Sequence, residues 1–331
     1  MELKYLSKYR APLMGLAALW IMLLHSTAWF SSFLFGCLKA TGYCGVDSFL
    51  ILSAIGLLFS WNKNGKDTRS FLKRRFIRIM PVYIFVALIR CFMEHTGKRY
   101  FVLLSTTLSF WILDDLSMWF IAGIVLLYLF SPQFLKTLDH SNWKKWYVLF
   151  FAAAFLLGAL MKLTPQNVFF TRIPSFLLGF LIGKRIYEGQ ELTKREKGIL
   201  LICFILGSLL MILCQKGTLS SCEYLDWAVR WYSSLLFNVP LMLGIAGILN
   251  WLSSKDVKLP EHICGFLGKI SLEIYLWFEV LLRFFRGTKI EFLPFEYHGV
   301  VYSAIIAMLT ILVAWLTHLL FQKILDRIPT A

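Results

Sequence analysis

The sequence predicts an all-α fold, a polytopic helical bundle embedded in a membrane, and three observations carry that reading. Hydrophobic residues make up 58% of the 331-residue chain and charged residues only 16%, too apolar a balance for an ordinary soluble fold. Apolar runs of roughly 17 to 22 residues recur along the chain, each enough to cross a hydrocarbon core of about 30 Å. Lys and Arg gather in the short loops between those runs, as cytoplasmic positive charge requires. The 30 Phe and 12 Trp suit rings that face lipid or anchor at headgroups. The longest polar stretches are about 15 residues, so residues 1–331 read as a single integral-membrane domain without a soluble appendage.

In chain order the apolar spans fall at 11–33, 43–61, 79–95, 101–113, 118–135, 146–162, 169–186, 198–214, 231–251, 264–285 and 299–321. The first follows Lys4, Lys8 and Arg10 and so imitates a signal peptide. Its length and the lack of a small-x-small cleavage site predict a retained helix instead. Span 101–113 is short, contains Ser105, Thr106, Thr107 and Ser109, and runs into Asp114 and Asp115. It is predicted to be re-entrant or interfacial. The other ten are long enough to cross.

Charge separates the two possible topologies. With the N-terminus inside and 101–113 not crossing, cytoplasmic segments hold about 22 Lys plus Arg against about 10 outside. If 101–113 crosses, the tally becomes about 17 against 15. The first arrangement predicts ten crossings with both termini cytoplasmic.

The net charge of +15 is accounted for by these loops, so no nucleic-acid partner is expected. The seven cysteines form no Cys-x-x-Cys, so no zinc or thioredoxin-type site is expected. A disulfide at Cys37 and Cys44, or at Cys214 and Cys222, would need an oxidising outer face.

Ionisable groups inside membrane helices are costly and therefore functional candidates. They are His25, Asp47, Arg90, Lys269, Glu273, Glu279, Arg283 and His318. Lys269 and Arg283 lie near helix ends, where long stems can snorkel to the interface. His25 stands fifteen residues after Arg10, roughly 22 Å higher on a helix. A neutral imidazole near pH 7 can take a proton from a hydroxyl and return it to a leaving group. From spacing alone, a structural hydrogen bond to a neighbouring helix is the stronger account. The stretch FLKRRFIRIMPVY (71–83) is the densest positive cluster. Arg74 and Arg78 are four apart and Arg75 and Arg78 three apart, so they share a helical face. Such a face suits a polyanion, because guanidinium forks bind phosphate oxygens in pairs. Positive-inside anchoring is the competing account.

Five segments, in order and across most of the chain, resemble the membrane acyltransferase-3 family. YRAPLMGLAALWIMLLHS (9–26) is similar to that family's opening helix, with its His and following small polar residue. GVDSFLILSAIGLLFSW (45–61) resembles the GVDxFFxxSG helix. Arg75, Arg78, Pro81 and Tyr83 resemble R-x-x-R-x-x-P-x-Y. SMWFIAGIVLLYLFSP (117–132) and FLGKISLEIYLW (266–277) resemble the Trp-Phe helix and the late G-x-x-S-x-x-I-Y-L helix.

The resemblance implies an O-acyltransferase of a bacterial cell membrane, with membrane lipid around it. It would move an acyl group, commonly acetyl from acetyl-CoA, to a hydroxyl of a carbohydrate or glycolipid acceptor such as a surface polysaccharide. Acyl-CoA would be a co-substrate rather than a bound cofactor. The resemblance also implies a catalytic His25 and donor contacts from the Arg75/Arg78 segment; Arg74 and Arg10 are expected to bind the donor as well. Asp47 could orient the His25 ring as a triad carboxylate does, or serve as an interfacial carboxylate or helix cap.

Three departures are visible. The family often places an Arg about ten residues before the His. Here no Arg lies between Met14 and His25, and Arg10 stands about one turn before Met14. Ser53-Ala54 replaces Ser-Gly. Phe278 stands where relatives often have a second His, and Glu279 is turned about 100° from it. A sugar or glycolipid transporter or flippase is the alternative, although the broken helices in matched halves that it needs are not found. A regulator that has lost its chemistry is a third reading.

Overall fold

The computed structural model describes residues 2–63, 65–93, 110–112, 116, 119–287 and 299–325. Among them the fold is helical throughout, without a strand. A short α1 (Lys4–Lys8) leads into α2 (Arg10–His25). Helix α2 stops at His25 rather than at 33 because Ser26 turns extended, with φ −63° and ψ 156°. The Ser26 hydroxyl donates to the Leu23 carbonyl at 2.8 Å, satisfying one of the orphaned oxygens at the helix end. Residues 26–32 of that span are not helical, and its last residue, Phe33, begins a separate α3 (Phe33–Ala40), whose Phe33, Leu34 and Phe35 are exposed.

Next come α4 (Cys44–Lys63), α5 (Thr68–Met93), α6 (Trp119–Thr137) and α7 (Trp143–Leu160). A single turn α8 (Asn167–Phe170) precedes α9 (Ile173–Tyr187), and α10 (Lys194–Gln215) and α11 (Glu223–Ser254) follow. The chain then forms α12 (Leu259–Lys269), α13 (Ser271–Gly287) and α14 (Val300–Leu325).

Seven of these, α4, α5, α6, α7, α10, α11 and α14, are long and apolar enough to cross a membrane. The other three expected spans fall on α2, α9 and α13, with 16, 15 and 17 residues. The expected span 264–285 is broken at Ile270, and the Ser271 hydroxyl there donates to the Gly268 carbonyl at 2.9 Å. The segment 101–113, expected to be re-entrant or interfacial, lies almost wholly outside the described residues.

The core is apolar, but so is much of the outer surface. On α7 and α10, Val148, Leu149, Leu156, Leu201, Ile202 and Leu209 are exposed. Asp47, Arg172, Ser175 and Asn238 are buried. Outward apolar side chains suit hydrocarbon, and inward polar groups must find partners in the protein. Asn238 does so by donating to the Cys44 carbonyl at 3.0 Å.

Where lipid surrounds the helices, burial of apolar surface drives their association weakly, and close van der Waals packing takes over. Glycine permits it here. Any side chain at Gly268 would collide with the Ala11 carbonyl, and one at Gly15 with the Cys264 carbonyl, so α12 crosses α2 backbone to backbone. A Cβ at Gly45 would lie 2.7 Å from the Ala17 carbonyl oxygen, so the start of α4 also packs closely on α2. Helix α2 is thereby held on two sides, with its remaining face turned inward.

Candidate active site

That face lines a cavity of about 1330 Å³ between α2, α4, α5, α6 and α13. Its α2 wall is built by Arg10, Met14, Ala18, Met22 and His25. The steps of three or four residues return each side chain to one side of the helix. Arg10 and His25 are the first and last residues of α2, so the wall is about 22 Å long with a cation at one end and an imidazole at the other.

The cationic end gathers Arg10, Arg75, Arg78 and Lys63. Arg10, Arg75 and Arg78 are near enough for their charges to repel one another. Among the described residues none of the three pairs with a carboxylate, and Arg75 Nε lacks any hydrogen-bond partner. Several unpaired guanidinium groups facing one space are costly without an anion and favourable with one. Gly56 makes room for this arrangement. A Cβ there would overlap the Arg10 guanidinium, so Arg10 lies flat against α4 only because residue 56 has no side chain. Arg74 is not on the cavity wall. It is turned about 100° from Arg75, whereas Arg75, Arg78 and Ile79 share the inward side of α5.

The other end contains His25, exposed to the cavity at the last turn of α2, together with Trp119 and Phe120 of α6. Trp119 is half-buried on this wall, its ring 6.0 Å from that of Phe120.

Asp47 does not orient His25. Its Oδ1 accepts from the Ser175 hydroxyl at 2.7 Å and its Oδ2 forms an ion pair with Arg172. Asp47 and Arg172 are both 1% exposed, and Asp47 is not on the cavity wall. The expected triad carboxylate is instead half of a buried ion pair between α4 and the turn before α9. The pair acts on the site indirectly. The Arg172 guanidinium carbon lies 4.7 Å from the centroid of Trp231, and Trp231 borders the cavity. Neither Arg172 nor Trp231 stands out in the sequence. The one signal for Arg172 is its place just inside an apolar span, where an arginine needs a counter-ion.

The late helix departs from expectation as well. Phe278 and Glu279, although about 100° apart on α13, both border the cavity, because it wraps around that helix from Tyr275 to Arg283. Arg283 Nε donates to Glu279 Oε1 at 2.7 Å, so this carboxylate is held one turn from its partner. Glu273 points elsewhere and bonds His318 Nδ1 at 2.8 Å across to α14. Ser53 is also on the wall. Among the described residues no group of three His, Cys, Asp or Glu side chains could hold a metal ion, and the seven cysteines are free thiols.

A family model described as an acyltransferase domain matches residues 13–319. The matched stretch contains His25, Gly56, Arg75 and Arg78, while Arg10 lies just before it. No curated protein and no solved structure matches the chain.

Proposed function

Because this chain belongs to the acyltransferase-3 family, and is a multi-pass membrane acyltransferase by that membership, we propose that it transfers an acyl group, acetyl in the first instance, from acyl-CoA to a hydroxyl of a carbohydrate or glycolipid acceptor. One observation carries the finer reading. A single inward face of α2 joins a pocket of unpaired arginines to an exposed histidine along one cavity. A nucleotide thioester has the same polarity, with phosphates at one end and the reacting carbonyl at the other. Arg10, Arg75 and Arg78 bind the phosphate groups, and the acyl end extends toward His25.

The reaction then follows from ordinary acid–base chemistry. An alcohol has a pKa far above 7 and attacks poorly unless its proton leaves as the new bond forms. Neutral His25 accepts that proton while the oxygen adds to the thioester carbonyl. Collapse breaks the carbon–sulfur bond, and the imidazolium returns the proton to the departing CoA sulfur. Products are an ester and CoA–SH, and His25 ends as it began.

In this reading the chain crosses the membrane ten times with both termini cytoplasmic, and Arg75 and Arg78 face the cytoplasm, where CoA is found. The positive-inside tally supports it, and α2, α9 and α13 then supply the three crossings beyond the seven long helices.

The test is His25→Gln in purified protein, with radiolabelled acetyl-CoA and envelope glycan as substrates. Glutamine keeps hydrogen-bonding capacity but cannot act as a base near neutral pH. Transfer should fall by about 10² to 10⁴, the usual contribution of a positioned general base, with CoA binding retained. Near wild-type transfer by the glutamine variant would remove His25 from the chemistry.

A further inference from the structure

The wall of the cavity formed by α8 and α11 carries two groups that the donor pocket and the base leave unused. Asn167, on α8, borders the cavity and is only 9% exposed. The indole Nε1 of Trp227 donates to its Oδ1 at 3.3 Å. An indole nitrogen can only donate, so this bond fixes which end of the amide is oxygen. The Nδ2 group therefore keeps two donors, and among the described residues no acceptor meets them. A nearly buried amide with idle donors on a cavity wall is the mark of a group whose partner is a ligand.

Trp231 follows Trp227 by one turn on α11 and so shares its side of the helix. Its half-buried indole is on the same wall. The ring is fixed by its neighbours, with the Arg172 guanidinium carbon 4.7 Å and the Tyr43 ring 6.1 Å from its centroid. Arg172 is in turn held by Asp47. The whole constellation, from buried ion pair to indole, serves to hold one aromatic surface still beside the cavity.

A rigid aromatic surface, one helical turn from the indole that holds the amide, and the amide's idle donors on the same wall match the two sides of a sugar ring. One face of a pyranose presents C–H groups that pack on an aromatic ring, and its rim presents oxygens that accept hydrogen bonds. We propose that Trp231 and Asn167 form the acceptor subsite of this enzyme. A pyranose ring packs on the Trp231 indole, and one of its oxygens accepts from Asn167 Nδ2. Asp47 and Arg172 are positioning residues for this subsite. The word acceptor rests on the acyl-transfer reading, but the binding geometry does not.

Three variants test it. Trp231→Leu keeps apolar bulk without a ring, Trp231→Phe keeps a ring, and Asn167→Asp still accepts from Trp227 but loses the Nδ2 donors. Each protein, in amphipol, is incubated with 2-aminobenzamide-labelled glycans released from the envelope of its own cell, and retained label is counted. CoA binding is measured in parallel. Wild type should retain glycan, Trp231→Leu and Asn167→Asp should retain roughly tenfold less, and Trp231→Phe should stay within about threefold of wild type. CoA binding should be unchanged in all, which also shows that the variants are folded.

Absent retention by wild type, or equal retention by Trp231→Leu, overturns the subsite. Parallel loss of CoA binding also overturns it, since the pair would then hold the pantetheine arm of the donor. Transfer of radiolabelled acetyl is assayed separately. Glycan retention without transfer removes the acyl-transfer reading and leaves the subsite standing. Transfer with glycan retention indifferent to all three substitutions does the reverse.

Discussion

Replacing Gly56 with alanine would place a methyl group where the Arg10 guanidinium now lies. The two cannot coexist, and the guanidinium, at the end of a flexible chain, is the part that moves. Stability should not suffer, because alanine is favoured over glycine inside a helix by about 1 kcal/mol. Donor binding should suffer, since one of three unpaired arginines is swung away from the anion. A hydrogen bond to a charged group contributes about 1.5–3 kcal/mol, so the Kd for CoA should rise roughly 10- to 150-fold. Calorimetric titration of CoA in detergent, paired with thermal unfolding of the same samples, separates the two effects. Affinity within about twofold of wild type would refute the assignment of Arg10 to the donor pocket. A weakened affinity accompanied by a lower melting temperature would refute the reasoning differently, by showing that α2 and α4 themselves had shifted.

Other perturbations probe the remaining parts. Arg75→Gln and Arg78→Gln should each weaken CoA binding by about 1–3 kcal/mol, whereas Arg74→Gln, off the cavity wall, should leave it nearly unchanged in the same titration. Asp47→Asn leaves the Arg172 charge buried without its counter-ion and should destabilise the protein by about 3–5 kcal/mol, read as early thermal unfolding. Gly268→Ala forces a methyl group into the Ala11 carbonyl, and overpacking of this kind costs about 1–3 kcal/mol, again visible in the melting curve. Single cysteines in loops 184–197 and 252–263 of a cysteine-free protein should resist an impermeant thiol reagent added to intact cells. Labelling from outside would overturn the ten-crossing arrangement.

What could be read from the sequence followed from arithmetic on single helices. Fifteen residues place His25 roughly 22 Å above Arg10 on one helix, and both residues border the cavity. The same arithmetic placed Arg75 and Arg78 together. It failed wherever a partner lies on another helix. Asp47 has no local signal for Arg172, which is 125 residues away, so the sequence leaves its carboxylate open between orienting His25 and a place at the interface or a helix cap. Glu279, turned about 100° from Phe278, borders the cavity all the same, because rotation about one helix says nothing of how far a cavity wraps around it. The apolar run 11–33 concealed a helix end, because hydropathy is blind to a serine that turns the backbone and caps it. Gly56 was invisible for a related reason, as its importance lies in a side chain contributed by α2.

The shared inward face of α2 also makes the distance between the proposed donor pocket and the proposed base a quantity that changes in steps. Met14 borders the cavity one turn above Arg10, so an arginine at either position would point into the same space. Moving it by four residues alters its phase by only about 40° but its height by about 6 Å. Moving it by one or two would turn it into the neighbouring helices, where Gly15 and Gly268 leave no room. The unusual spacing of Arg10 and His25 is therefore an allowed setting of the same ruler, one notch longer. A single alanine inserted between Met14 and Ala18 should silence the enzyme by rotating its two ends out of register, although it lengthens the helix by only about 1.5 Å.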